Sequence, residues 1–123
     1  MEAHRLIRPG HLNQYGFLFG GQLLAWIDEA CWIAASLEYP ACRFVTVGMD
    51  DVQFHHSVRE GTILAIRCER EREGVTSVTY RVSVRDCRRG DSFVIFATRV
   101  SLVNVAADGS KHPLRQDQTD FGD

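Results

Sequence analysis

The segment that most limits how this chain can fold is residues 13–35, NQYGFLFGGQLLAWIDEACWIAA. Gly20 and Gly21 are followed by a predicted helix that is apolar on nearly every side, and the acid pair Asp28-Glu29 stands in its middle. A helix of this composition is normally buried on more than one side. The fold must therefore cover this helix twice and also accommodate a carboxylate beside apolar side chains, which is costly without a partner.

Stepping 100° per residue divides the predicted helix into two apolar faces. One face is expected to pack on a sheet and contains Leu23, Trp26, Ile27, Ala30, Ile33, Ala34 and Leu37. The other face carries Asp28 among small or apolar residues, namely Gly21, Leu24, Ala25, Cys31, Trp32 and Ala35. Glu29 falls on a narrow polar stripe and is expected to be solvated. The sheet of one small domain covers one face only, so a second copy of the chain is the simplest cover for the other. This predicts a homodimer with Asp28 at or beside the interface.

Pro40 ends the helix, and after it the spacing of apolar residues changes from helical to alternating. Short glycine-containing connections between the alternating runs favour an antiparallel meander. The whole order predicts an α+β fold, with one long helix packed on one curled antiparallel sheet of about five strands. The strands are predicted at residues 4–8, 43–54, 62–72, 75–85 and 92–105.

Length and composition are those of one domain over residues 1–123, with a polar tail from about residue 108 that is expected to fray. A formal net charge of -2 gives no general attraction to nucleic acid or to an anionic membrane. The chain has no apolar run of membrane-spanning length and no signal-like start, which predicts a cytoplasmic protein. Its four cysteines have no zinc-ligand spacing, so we expect free thiols, no metal and no cofactor.

The start of the helix carries the pattern Asn-x-x-Gly-x-x-Phe-Gly-Gly, followed by an acid seven residues after the second glycine. This pattern resembles the motif of the hotdog-fold acyl-CoA thioesterases. The resemblance implies a central helix wrapped by an antiparallel sheet, with two subunits joining their sheets into a double hotdog and assembling further into a tetramer or a trimer of dimers. The residues that carry it are Asn13, Gly16, Phe19, Gly20, Gly21 and Asp28.

The resemblance also implies a site whose two halves come from different subunits. Asp28 matches the catalytic acid, and Asn13 matches the asparagine that polarises the thioester carbonyl. Gly20 and Gly21 match the glycines that let the carbonyl approach the helix start, and Thr46 resembles a residue that neighbours the acid. Sequence leaves open whether Asp28 activates water as a general base or attacks the carbonyl as a nucleophile.

The substrate implied by the resemblance is an acyl-CoA, which carries phosphates. Phe19 is a candidate substrate-binding residue, and Gly74, Thr76 and Ser77 resemble the family's strand start near the pantetheine and phosphates. Basic residues are needed at the mouth of such a site. The candidates are Arg67, Arg70, Arg72, Arg81, Arg88, Arg89, Lys111 and Arg115.

Three other interpretations stay open at this point. Asp28 could pair with an arginine in a structural role, and Asn13 could only form an Asx-turn. The chain could be a non-catalytic acyl-CoA-binding hotdog module. It could also be a hotdog dehydratase or hydratase, although the histidine patterns of those enzymes are absent from the sequence.

Overall fold

The computed structural model describes residues 1–115 and contains one long helix and five strands, in the predicted order. Residues 9–11 form a short 3-10 turn between the first strand and the helix. The elements are β1 (Glu2–Leu6), α1 (Gly20–Glu38), β2 (Phe44–Phe54), β3 (Ile63–Glu73), β4 (Ser77–Asp86) and β5 (Val94–Asn104).

The five strands form one antiparallel sheet in the order β1-β3-β4-β5-β2. The predicted meander holds for β3, β4 and β5, but β2 pairs with β5 at the far edge and not with the strand that follows it. The connection over residues 55–62 explains this arrangement. The His55 N–H bonds to the carbonyl of Ile95 in β5, and the Gly61 N–H bonds to the Ile7 carbonyl after β1. The connection therefore crosses the end of the sheet, and β1 takes the place beside β3.

The inner face of the sheet packs on α1, as the alternating pattern predicted for β4, where Val78, Tyr80, Val82 and Val84 are all buried. The helix buries a face that is rotated from the predicted one. Its buried residues are Leu23, Ile27, Ala30, Cys31, Ala34 and Ala35.

Two residues of the predicted sheet-facing stripe are outside the core, since Ile33 is 39% exposed and Leu37 is 73% exposed. Cys31 and Ala35, which the helical periodicity predicts on the Asp28 face, are fully buried instead. Small side chains at these two positions let the sheet approach the helix closely, so the sheet covers the helix toward the Asp28 side. The prediction of the buried stripe was wrong at its edges for this reason.

A network of charges and tyrosines ties the last turn of α1 to β3. Glu73 accepts hydrogen bonds from Arg115 at 2.8 and 2.9 Å and from the Tyr39 hydroxyl. The Arg115 bonds, followed by the Tyr39 bond, lower the pKa of Glu73 to about 2. Arg70 donates to Tyr39 at 2.8 Å and lies 3.1 Å from Glu38.

The described part of the predicted tail packs on the domain. Leu114 is buried, and its carbonyl accepts a hydrogen bond from the Cys42 thiol at 3.2 Å. The side-chain amide of buried Asn104 donates to the Pro113 carbonyl at 2.9 Å. The rest of the tail, residues 116–123, lies outside the described residues. Among residues 1–115, no helix combines the length and the hydropathy that crossing a membrane requires.

Candidate functional site

The loop before α1 holds Asn13 in a turn and leaves its side-chain amide nitrogen available. The Asn13 side-chain oxygen accepts the backbone N–H groups of Tyr15 at 2.9 Å and Phe17 at 3.1 Å. The Nδ2 atom makes no hydrogen bond within residues 1–115. A role of Asn13 in the turn is therefore compatible with a role in binding a carbonyl group. The side-chain oxygen shapes the turn, while the side-chain nitrogen can donate to a ligand.

The start of α1 presents unpaired backbone donors to a cavity. The N–H groups of Gly20 and Gly21 have no acceptor in the described part of the chain, and the N-cap residue Phe19 supplies no side-chain cap. These donors lie at the positive end of the helix dipole. A cavity of about 420 Å³ lies beside Gly20 and is lined by Asn13, Gly20, Leu23, Phe54, His55 and Val58, among others. Such a place suits a carbonyl oxygen that gains negative charge during a reaction.

Phe54, at the end of β2, is a wall of this cavity that sequence reasoning missed. Its ring packs against the Phe96 ring with centroids 4.6 Å apart and planes tilted by 51°, and it stays half exposed. A Cβ atom on Gly20 would lie 3.2 Å from the tip of the Phe54 ring, so a side chain there would require the ring to move by a few tenths of an ångström. Only the fold brings the end of β2 to the helix start, and the sequence signal was no more than an aromatic residue ending a strand.

Asp28 lies two turns inside the helix and is held by a hydroxyl. The Thr46 Oγ1 on β2 donates to the Asp28 Oδ1 at 2.5 Å. Asp28 is half-buried, and it forms no ion pair with an arginine or lysine within the described residues. The structure thus brings Asp28 and Thr46 together, as the resemblance implied, and among residues 1–115 it shows no arginine partner of the kind that a purely structural role would call for.

The two parts of the predicted site are separated within one chain. At about 1.5 Å of rise per residue, Asp28 lies about 12 Å along the helix axis from Gly20. One carbonyl group cannot contact both at hydrogen-bonding distance. Next to Asp28 the surface is apolar and uncovered, because Trp32 on α1 is 48% exposed and Val47 on edge strand β2 is 60% exposed.

Of the predicted substrate-binding residues, Gly74 and Thr76 lie in the β3–β4 turn and Ser77 begins β4, near the C-terminal end of α1. The Gly74 N–H bonds to the Ser77 carbonyl at 2.7 Å, and the Thr76 carbonyl accepts from the Asn104 N–H at 2.9 Å. Within one chain this turn and the helix start are at opposite ends of the helix. Phe19 is 54% exposed at that helix start.

Several of the basic candidates are already engaged in ion pairs. Arg67 pairs with a glutamate of β1, while Arg70, Arg81 and Arg115 pair with glutamates at or near the end of β3. Arg88 and Arg89 differ, because they lie in the β4–β5 hairpin. From the sequence alone, the arginines that form these ion pairs cannot be distinguished from the two arginines of the hairpin.

One helix wrapped by a five-stranded antiparallel sheet, with a carboxylate held midway along the helix, is the hotdog arrangement. The model of the thioesterase superfamily matches residues 15–92, and the chain belongs to this superfamily. The expected hotdog fold is thereby confirmed.

Individual relatives agree with this assignment. The acetyl-coenzyme A thioesterase of Rattus norvegicus is 37% identical over 79 residues, which are 64% of this chain but only 14% of the rat protein. An uncharacterized acyl-CoA thioester hydrolase of Zymomonas mobilis is 32% identical over 105 residues, covering 85% of this chain and 70% of that protein. Among solved structures, an apo-hexameric acyl-CoA thioesterase superposes with a TM-score of 0.81 at 28% identity, covering 92% of this chain and 73% of the other.

Proposed function

We propose that this protein hydrolyses acyl-CoA thioesters to free CoA and a carboxylic acid. The observation that carries the proposal is the Asp28 carboxylate, which is held by Thr46 without a cationic partner among the described residues. A protein that only bound acyl-CoA would gain nothing from a half-buried carboxylate beside an apolar surface. The names of the rat and Zymomonas mobilis relatives support the same chemistry.

In the proposed mechanism, the thioester carbonyl lies at the start of α1. The N–H groups of Gly20 and Gly21 and the side-chain amide of Asn13 stabilise the negative charge on its oxygen. Asp28 of the second chain takes a proton from water, and the water oxygen bonds to the carbonyl carbon. The carbon–sulfur bond then breaks, CoA leaves as a thiolate that takes up a proton, and the carboxylic acid is released. Direct attack by Asp28 to form an anhydride is the second route.

The proposal includes a homodimer in which each site takes Asn13 and the helix start from one chain and Asp28 with Thr46 from the other. The separation of about 12 Å along the helix supports this arrangement. The exposed apolar side chains beside Asp28 are the surface that the second chain would cover. Hexamers occur among related structures, so a trimer of dimers is the further assembly that we favour over a tetramer. The cytoplasmic location stays a prediction.

A thiol-release assay over acyl-CoA substrates of increasing chain length tests the proposed activity. We expect stoichiometric release of free CoA and of the acid, both lost in the Asp28→Asn variant. Tight acyl-CoA binding without thiol release would instead indicate a binding module. Conversion of an enoyl-CoA or hydroxyacyl-CoA with the thioester intact would indicate a hydratase or dehydratase.

A further inference from the structure

The cavity at the helix start continues into a second, more polar depression. This depression has a volume of about 290 Å³ and shares His56, Ser57, Val58 and Ile95 with the first cavity. Its other walls come from the loop after β2 and from the β4–β5 hairpin, including Arg59, Arg89 and Phe93. The two cavities therefore form one groove, apolar at the helix start and cationic at its far end.

The two arginines of this far end are held by aromatic rings. The Arg59 guanidinium lies 4.8 Å from the centroid of the Phe17 ring, and the Arg89 guanidinium lies 4.6 Å from that of Phe93. His56 also stacks on Phe93, with centroids 4.4 Å apart and planes 24° from parallel. A guanidinium beside an aromatic ring is attracted by the cation–π interaction and keeps N–H groups that can donate to a ligand. The contacts with Phe17 and Phe93 restrain the two guanidinium groups before any ligand binds.

These arginines also differ from the strand arginines in their ion pairs. Arg59 contacts no carboxylate within residues 1–115, and Arg89 has a single long contact of 3.8 Å with Asp86. By comparison, Arg81 on the outer face of the sheet is 2.6 Å from Glu71. The charge of the groove end is therefore not neutralised, and it is available to an anion.

The groove end also contains a carboxylate, and its position matters for anion binding. Asp86 lines the depression with a side chain only 17% exposed, and its Oδ1 accepts the Arg88 N–H at 3.1 Å. One carboxylate faces two guanidinium groups, so the balance stays positive. Glu60 lies in the adjoining depression together with Arg88, which offsets its charge.

We propose that Arg59 and Arg89 bind the phosphates at the nucleotide end of the CoA thioester. The pantetheine arm would then run past His56 and Val58 to the helix start. This inference rests on the proposed function, since it names where the substrate of that same site is held. Arg89 belongs to the candidates from sequence, whereas Arg59 does not, because nothing in the sequence places it beside the hairpin.

Two thioesters with the same acyl group test the inference, an acyl-CoA and an acyl-pantetheine, which lacks the nucleotide and its phosphates. Arg59→Ala and Arg89→Ala should each raise KM for the acyl-CoA about tenfold, the loss expected for one charge-assisted hydrogen bond. KM for acyl-pantetheine should stay at the parent level, and so should kcat for both substrates. Arg81→Ala is the matched control, since it removes an arginine that is 63% exposed and lies outside the groove.

A second measurement does not depend on turnover. Adenosine 3′,5′-bisphosphate should bind the parent protein in calorimetry and bind the Arg59→Ala/Arg89→Ala variant at least tenfold more weakly, with unchanged thermal stability. Equal KM changes for both thioesters, unchanged KM in both variants, or equal bisphosphate binding by parent and variant would overturn the inference. A parent protein that releases no thiol from either thioester would refute the proposed hydrolase, and the bisphosphate titration would still decide the site.

Discussion

At the residue scale, Asp28 and its hydrogen bond with Thr46 give the sharpest prediction. Asp28→Asn keeps the shape of the side chain and its hydrogen bond with the threonine, but it can neither take a proton from water nor attack a carbonyl. We expect turnover to fall by about a thousandfold or more while acyl-CoA still binds and Tm changes by only a few degrees. Steady-state thiol release, ligand titration and thermal melts on the same preparation measure the three quantities.

Thr46→Val provides the control for this experiment, because it removes the hydroxyl donor and leaves the carboxylate in place. Its turnover should fall less than that of Asp28→Asn, since the threonine only orients the acid. A folded Asp28→Asn protein that works at the parent rate would exclude the proposed mechanism.

Asn13 has two roles that one pair of variants can separate. Asn13→Asp keeps the oxygen that accepts the Tyr15 and Phe17 N–H groups, but it removes the side-chain N–H donor. We expect wild-type-like Tm with turnover lowered about a hundredfold, the usual cost of losing one oxyanion donor. Asn13→Ala should lose both the turn and the activity. Unchanged turnover in Asn13→Asp would assign this residue to the turn alone.

At the element scale, the last turn of α1 and the end of β3 should respond to acid through Glu73. The pKa of this group is lowered to about 2 in the folded protein, below the ordinary value of 4.5, so its contribution to stability is present above about pH 4.5. That contribution is lost as the pH falls from about 4.5 toward 2. We expect Glu73→Gln to melt about 2–5 °C below the parent at pH 7 and to converge with it toward pH 2.

Melting curves from pH 7 down to pH 2 measure this convergence. Glu60→Gln is a suitable control, because Glu60 is exposed and forms no ion pair among residues 1–115. If the difference in Tm between the parent and the Glu73→Gln variant stays constant with pH, that result would contradict the role given to the Arg115 and Tyr39 hydrogen bonds.

At the scale of the whole molecule, the separation of Asp28 from the helix start predicts a site shared between chains. Asp28→Asn and Asn13→Asp chains should each have at most about a hundredth of the parent turnover by themselves. A mixed dimer combines the intact Asn13 of one chain with the intact Asp28 of the other, which restores one of its two sites. Co-expression with two affinity tags should give a mixed preparation with about a quarter to a half of the parent turnover.

The control is a chain that carries both substitutions, co-expressed with either single variant. No site in that preparation has an intact pair, so it should stay inactive. Lack of recovery in the purified mixed dimer, or a stable monomer at micromolar concentration in sedimentation, would contradict the shared site.

Some features of this protein follow from the sequence because they depend on neighbours along the chain. The burial of Val78, Tyr80, Val82 and Val84 follows from a side-chain period of two, and the end of α1 follows from Pro40. The family likeness at residues 13–28 pointed to the hotdog fold, and the comparisons confirm that fold.

Other features depend on how distant segments pack, and only the tertiary structure decided them. The position of β2 beside β5 is set by a connection that crosses the end of the sheet. The buried face of α1 is rotated because Cys31 and Ala35 allow the sheet to approach there. The groove with Arg59 and Arg89 arises where a loop and a hairpin far apart in the chain meet. Local periodicity specifies which side chains share a face, but it contains no information on which other segment that face will meet.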